Sequence, residues 1–412
     1  MKQQVLLFLL FFITIQLHSQ NLVVEDWRED ISNYQIELSK RHIDPFHNIS
    51  KVEFDSQVQS ILNDVSNKTE WEIIIALMRL TRRIGDGHTA ISLGNIKRHI
   101  FPFKVAYINK EWRIVSTLKR YEDVLGEKIT HINNVEIDRV TKEIGEIAQY
   151  VENKHSYLVR TGQYMMLSEL LFGLKLTNHL TRTSITFEND SQETKTIQIK
   201  ALESSVYYKS NFVDITLSSK AIERPENPNH DFLWFTKVKD INGIYIKFEG
   251  YPSPQQMDSF GRQVLNYINK NQITKLIIDL RNNGGGDFFI GTRLAFYLNL
   301  ANTIDWSESV FLLTNNVTFS AGTINAVQFR QILNAKIVGT PTGSNPTGYQ
   351  DMDSFELPNS KMTVTYSKRL FKFQEKITQG VQPDVLIEYD WESYSKGKDN
   401  MMEWIIKNQT KK

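Results

Sequence analysis

Trp27, Ile31, Tyr34 and Leu38 recur three or four positions apart, as do Val58, Ile61, Leu62 and Val65, and then Ile74, Leu77 and Met78. That period predicts a small helical bundle over residues 20–95, ending in RRIGDGHTAI, where Gly85 and Gly87 break the helical pattern. Over residues 96–200 the pattern shortens to extended pieces, FPFKVAYI, EWRIVST and KITHINNVEI. Helical VTKEIGEIAQYV follows, and then TRTSITFE and TKTIQIKA around a turn at Asn189, Asp190 and Ser191. This stretch reads as a small mixed α/β module. Residues 201–231, with Pro225 and Pro228 among polar positions, read as a linker or wrapping segment. Over residues 232–412 the apolar strands GIYIKFE, KLIIDL, VFLLT and AKIVGT alternate with helical patterns through Met257, Phe260, Val264 and Ile268, through FFIGTRLAFYL and through AGTINAVQFRQIL. Such alternation predicts an α/β domain of parallel character, with helices on both faces of its sheet.

The first residues carry a different pattern. Lys2 precedes an apolar stretch from Val5 to Ile15 and a polar exit at Gln16 to Gln20, the order of a secretory signal over residues 1–19. The stretch is short for a membrane span, so the expected product is an exported chain without a stable span, beginning near Gln20 and placed in a bacterial periplasm or outside the cell. There is no cysteine, which excludes disulfides, thiolate metal sites and a cysteine nucleophile. Lys and Arg number 48 against 47 Asp and Glu, without an arginine-rich tract, and this balance argues against nucleic acid as a partner.

The candidate chemistry lies at two strand ends. LRNNGGGD ends a predicted buried strand, and Gly284, Gly285 and Gly286 can turn consecutive N–H groups toward an anion or a developing oxyanion, or simply form a flexible turn. Neither GxGxxG nor GxxxxGK[ST] occurs here, so the loop is not a nucleotide-phosphate fingerprint. One strand later, Ser320 in NNVTFSAG opens a helical pattern. It reads either as a helix N-cap or as a nucleophile whose neighbour Ala321 offers an amide to an oxyanion. Thr318 stands where a nucleophile elbow would carry glycine, which disfavours an α/β-hydrolase. All 9 histidines precede Ser320, so a Ser, acid, His order is impossible. His88 in GDGHT is the candidate base, and without HExxH or other ligand spacing it is not read as a metal ligand. Asp86 is either a turn former or a partner of His88. Asp279 and Arg281 read as loop-fixing pairs more readily than as reactants.

Taken together, GDGHT, YIKFEGY leading to LIIDLRNNGGGD, LLTNNVTFSAG, IVGTPTGSNPTG and GVQPDV resemble the C-terminal processing peptidase family, which includes tail-specific and tricorn-type core proteases. The resemblance runs from about residue 70 to 388 and is strongest over 244–345. It implies a crotonase-like or ClpP-like catalytic domain and a PDZ-like module over residues 96–200, with Asn133 and Asn134 at the turn where the family often has Asn-Gly. By motif position Ser320 would be the nucleophile, and Gly285 or Gly286 together with Ala321 would supply the oxyanion amides. The tail-specific branch uses a lysine base, but the matching stretch here has Asn345 and no lysine, leaving only Lys361, Lys368 or Lys372 on another loop. The tricorn-like branch uses a histidine, and His88 occupies that place. There a preceding serine relays to a glutamate. This chain has Gly87 at the serine position, and Glu375 is the nearest matching acid.

The implied activity is a serine endopeptidase acting on peptides or proteins through an acyl-enzyme, with His88 activating Ser320 and without a cofactor or metal. Two alternatives remain on the same fold: a weakly active or inactive carrier of an apolar ligand, and an envelope scaffold that binds through the PDZ-like module.

Overall fold

A computed structural model describes residues 22–410 of the 412-residue chain, so the signal expected over residues 1–19 lies outside the described residues. Helices Val24–Arg41, Lys51–Asp64 and Glu70–Arg82 follow the apolar period closely. The first buries Trp27, Ile31, Tyr34 and Leu38, the second Phe54, Val58 and Ile61, and the third Ile74, Leu77 and Met78 among others. The second and third start at side-chain caps: Ser50 Oγ accepts from the Glu53 amide, and Thr69 and Glu72 close a reciprocal box.

The helices share their core with the segments that follow. One apolar cluster joins Ile31, Leu38, Leu77 and Ile84 to Phe103, Ile129 and Phe187 of the mixed module, and to Val364 and Tyr366 much later in the chain. In the mixed module, strands Phe212–Asp214, Glu111–Leu118, Lys128–Ile132, Arg182–Glu188 and Thr194–Lys200 lie in that order, and Phe103–Ile108 pairs with Glu111–Leu118. The Asn189 turn closes its hairpin in register, Glu188 opposite Thr194, while Asn189 Oδ1 accepts from the Ser191 and Glu193 amides. Asn133 and Asn134 have φ of 50° and 62°, the left-handed pair that a two-residue hairpin turn requires between Ile132 and Val135. Residues 201–231 run over the surface and add strand Phe212–Asp214 to the module's sheet.

The second half builds a six-stranded sheet in the order Leu233–Lys237, Gly243–Phe248, Lys275–Asp279, Val310–Thr314, Lys336–Gly339 and Val385–Leu386. Its first pair is antiparallel and the other four are parallel. Alternate residues face opposite ways. Ile244, Ile246, Leu276 and Ile278 pack under helices Pro254–Lys270, Phe288–Asn299 and Ala321–Leu333, whereas Tyr245, Ile277, Phe311 and Leu313 pack against the C-terminal helix Asn400–Gln409. Both faces are therefore covered, as continuous apolar strands require.

Several elements escaped the sequence pattern, among them helices Lys154–Tyr164 and Asn400–Gln409. Strands Thr347–Glu356 and Thr363–Lys372 form a long hairpin, and Ala90–Ser92 pairs with Thr363–Thr365. Because Ala90 is two positions beyond His88, this hairpin fixes the chain on which His88 is carried.

Candidate active site

Ser320 sits between strand Val310–Thr314 and helix Ala321–Leu333, at φ 50° and ψ −122°. A β-carbon-bearing residue pays for that conformation, and it persists only when its surroundings over-determine it. They do so here. Asn315 Oδ1 accepts from the Val317 and Thr318 amides, Thr318 Oγ1 donates to the Leu280 carbonyl, and the Phe319 amide donates to the Asn283 carbonyl. The Ser320 amide itself donates to Ser344 Oγ at 2.7 Å. The serine caps nothing with its side chain, so the N-cap alternative falls.

His88 is instead the partner of that side chain: Nε2 lies 3.0 Å from Ser320 Oγ, across 232 positions of sequence. The histidine is 4% exposed and its ring packs 5.4 Å from that of Phe319. Its loop is held by Asp86, whose Oδ1 accepts from the His88 and Thr89 amides and from Ser367 Oγ. Thr365 Oγ1 donates to the His88 carbonyl. Of the two readings of Asp86, the structure selects the turn former, and its remaining oxygen meets His42 Nε2 at 2.8 Å. His42 Nδ1 accepts from the Asp44 amide, so Nε2 carries the proton donated to Asp86. Burial raises the Asp86 carboxyl, but His42, the His88 amide and Ser367 outweigh it and hold it low. Burial drives the His88 ring the other way, below its usual 6.5, so the imidazole is neutral and able to accept a proton.

The glycine loop reaches the same place. A β-carbon at Gly285, where φ is 108°, would lie 2.7 Å from Ser320 Cβ. The Gly285 amide is already engaged by Asn283 Oδ1 at 3.0 Å. Among the described residues the amides of Gly284, Gly286 and Ala321 have no acceptor. Asp279 and Arg281 brace the loop from behind. Arg281 spans Asp279 and Asp399 with two edges of its guanidinium, and Tyr245 donates to Asp279. Burial raises the Asp279 carboxyl, yet Arg281, Lys247 and the Tyr245 hydroxyl outweigh it and keep it ionised.

Glu375 is not seen to contact His88 among the described residues. It is exposed after the long hairpin and makes no hydrogen bond or ion pair among the described residues. The space against His88 Nδ1 is filled by Glu152, whose Oε2 is 3.9 Å away. Gly87 explains how: a side chain there would meet Glu152 Cβ at 2.7 Å and Phe319 Cζ at 2.8 Å. Lys361, Lys368 and Lys372 are exposed, and the first two pair with Glu356 and with Asp351 and Asp353 rather than approaching Ser320. Asn345 holds the junction together, its amide donating to Glu152 Oε1 while its Oδ1 accepts from Asn153 and Gly380. Sequence reading missed Glu152, Ser344 and Asp399, because each reaches the site only through the tertiary fold. Among the described residues no group of His, Asp and Glu could hold a metal ion, and no helix is long and apolar enough to cross a membrane.

Residues 291–387 match the family model described as Peptidase family S41. No curated protein matches the chain. Among solved structures, mature CPAF complexed with lactacystin is similar at 11% identity, with a TM-score of 0.69 over 94% of this chain and 98% of that one. Mature CPAF without that ligand gives the same TM-score of 0.69 over 94% and 97% of the two chains, again at 11% identity. These likenesses show the mixed α/β fold. A photosystem II D1 C-terminal processing protease matches at 14% identity over 93% and 97% of the two chains, with a TM-score of 0.45. The stretch that carries the match, residues 291–387, contains Ser320, so this part of the chain is similar to a family of serine hydrolases.

Proposed function

We propose that the protein is an exported serine endopeptidase in which Ser320 attacks a peptide carbonyl and His88 takes its proton. The observation that carries this is the 3.0 Å contact between His88 Nε2 and Ser320 Oγ at a strained serine. In the first half-reaction the Oγ–H proton passes to Nε2, an Oγ–carbon bond forms, and the oxyanion turns to the amides near Gly286 and Ala321. The imidazolium then protonates the leaving amine as the C–N bond breaks. Water, deprotonated by the same ring, releases the acyl group in the second half.

The six-stranded unit supports the crotonase-like or ClpP-like reading, and the module over residues 96–200 supports the PDZ-like one. Among the described residues, strand Phe103–Ile108 is paired on one side only. It lines a cavity of about 1900 Å³ together with Leu158 and Gly162 of helix Lys154–Tyr164, and Asn316 and Val317 just before Ser320. A substrate chain added to that open strand edge would be led toward the serine. The apolar-carrier reading draws on the same cavity, but it gives no account of a serine held in strain against a buried histidine.

Peptide-library cleavage read by mass spectrometry, comparing the wild type with Ser320→Ala, tests the proposal. Cleavage by the wild type that vanishes in the variant is the expected result. Cleavage that survives in Ser320→Ala removes the serine mechanism. A folded wild type that cleaves nothing returns the carrier reading. N-terminal sequencing of the protein recovered outside the cytoplasm should begin near Gln20, and a retained Met1 would overturn export.

A further inference from the structure

Among the described residues the nitrogen of His88 that faces away from Ser320 makes no hydrogen bond of normal geometry, although the Tyr349 backbone lies near enough to favour the charged ring. This Nδ1 is buried, as is Oε2 of Glu152, which lies 3.9 Å from it and likewise makes no hydrogen bond. Two buried polar atoms that face each other without a hydrogen bond among the described residues are uncommon in folded proteins and call for an explanation.

The fold goes to some length to put Glu152 there. Its side chain is 4% exposed. Two glycines make room for it: a β-carbon at Gly87 would lie 3.0 Å from Oε2, and one at Gly348 would lie 2.9 Å from Oε1. Oε1 accepts from the Asn345 amide at 3.2 Å, and the Glu152 amide donates to Ser156 Oγ, so both ends of the residue are fixed. For Nε2 to accept the Ser320 proton, Nδ1 must carry the ring's own hydrogen, and that N–H needs an acceptor.

We propose that Glu152 is the positioning residue of the His88–Ser320 pair: its carboxyl accepts the Nδ1–H of His88 and fixes the tautomer that turns Nε2 to Ser320. This deepens the peptidase reading and rests on it. At rest the two atoms are 3.9 Å apart, so the proposed hydrogen bond requires the ring and the carboxyl to approach each other. Burial pushes the Glu152 carboxyl well above its usual range, a tendency that the Asn345 amide opposes and the Asp86 charge reinforces. Asp86, Asp351 and the Tyr349 backbone favour the charged ring of His88, while burial and Arg160 oppose it. The serine relay to a distant glutamate is thereby replaced by a direct carboxyl, for which Gly87 is the enabling residue.

The test uses the full mature chain and a fluorophosphonate probe, whose phosphorus is attacked by the serine oxygen with loss of fluoride, so no natural substrate is needed. Labelling rates are compared for wild type, Ser320→Ala, Glu152→Gln, Glu152→Asp and Glu375→Gln, each checked for folding by thermal melting. Wild type should label and Ser320→Ala should not. Glu152→Gln should label about 100-fold slower or worse, Glu152→Asp should recover part of the rate, and Glu375→Gln should match wild type. Nitrogen-15 histidine spectra of Ser320→Ala, with and without Glu152→Gln, give a second readout: the Nδ1-protonated signal of His88 should be lost or shifted when Glu152 is replaced. Wild-type labelling in Glu152→Gln, or an unmoved His88 signal, overturns the role of Glu152 and leaves the serine mechanism standing. Absence of labelling in the folded wild type, or labelling that persists in Ser320→Ala, overturns the serine mechanism and the proposal together.

Discussion

Arg281 and Asp399 form a two-pronged buried pair, with contacts of 2.9 and 2.7 Å, across 118 positions of chain. Arg281 begins the turn into the glycine loop, and Asp399 caps helix Asn400–Gln409 by accepting from the Met402 amide. The C-terminal helix therefore braces the loop beside Ser320. Asp399→Ala leaves a buried guanidinium half-paired and should cost about 3–5 kcal/mol, read as the urea midpoint, with peptidase turnover falling alongside. A variant with wild-type stability would show that Asp279 alone suffices.

Gly285→Ala places a methyl group 2.7 Å from Ser320 Cβ at a φ of 108°. Something must shift, and the serine is the nearest atom group. Turnover should drop by about two decades or more while thermal stability changes by only about 1–3 kcal/mol. Parallel measurements of kcat and melting temperature check the split.

Gly87→Ser restores the residue type that a serine relay would use. Its β-carbon would collide with Glu152 Cβ at 2.7 Å and Phe319 Cζ at 2.8 Å, so activity should fall by about one to two decades rather than rise. Steady-state kinetics of the variant decide it, and an increase in kcat would show that the relay can be rebuilt.

The pH dependence follows from burial. His88 is held below 6.5, so kcat/KM should be level at neutral pH and decline only on the acid side of 6.5. The stability contributed by a depressed base is complete above its unfolded value of 6.5 and is lost as pH falls toward the folded-state value. Glu152 has the opposite sense. With its carboxyl pushed well above 4.5, its contribution is complete below 4.5 and is lost as pH rises through the raised folded-state value. His88→Asn should remove the acid-side loss and Glu152→Gln the loss on the other side, each read from urea midpoints between about pH 4 and 8.

Local periodicity carried much of the fold into view. Trp27, Ile31, Tyr34 and Leu38 line one buried face, and the strand ending at Asp279 has both neighbours parallel, because burial on a helix stripe or under two helical layers writes itself into residue spacing. Ser320, His88 and the glycine loop were legible because each breaks a pattern at a strand or helix end. Glu152 was not, since it sits on no motif and reaches His88 only after the mixed module folds against the rest. Glu375 was picked out by its nearness to the GVQPDV element, which says where a residue lies in the chain and not which way its side chain faces. The long hairpin Thr347–Lys372 was passed over because its half-exposed strands lack a continuous apolar run.

His88 and Ser320 stand on separately packed cores, one built around the N-terminal helices and the other beneath the six-stranded sheet. Their 3.0 Å contact is thus a gauge of alignment between two bodies, and an offset of about 1 Å between reacting groups can cost about 100-fold in rate. Any partner, substrate or cleavage that slides one body against the other acts as a throttle on turnover, without touching either side chain.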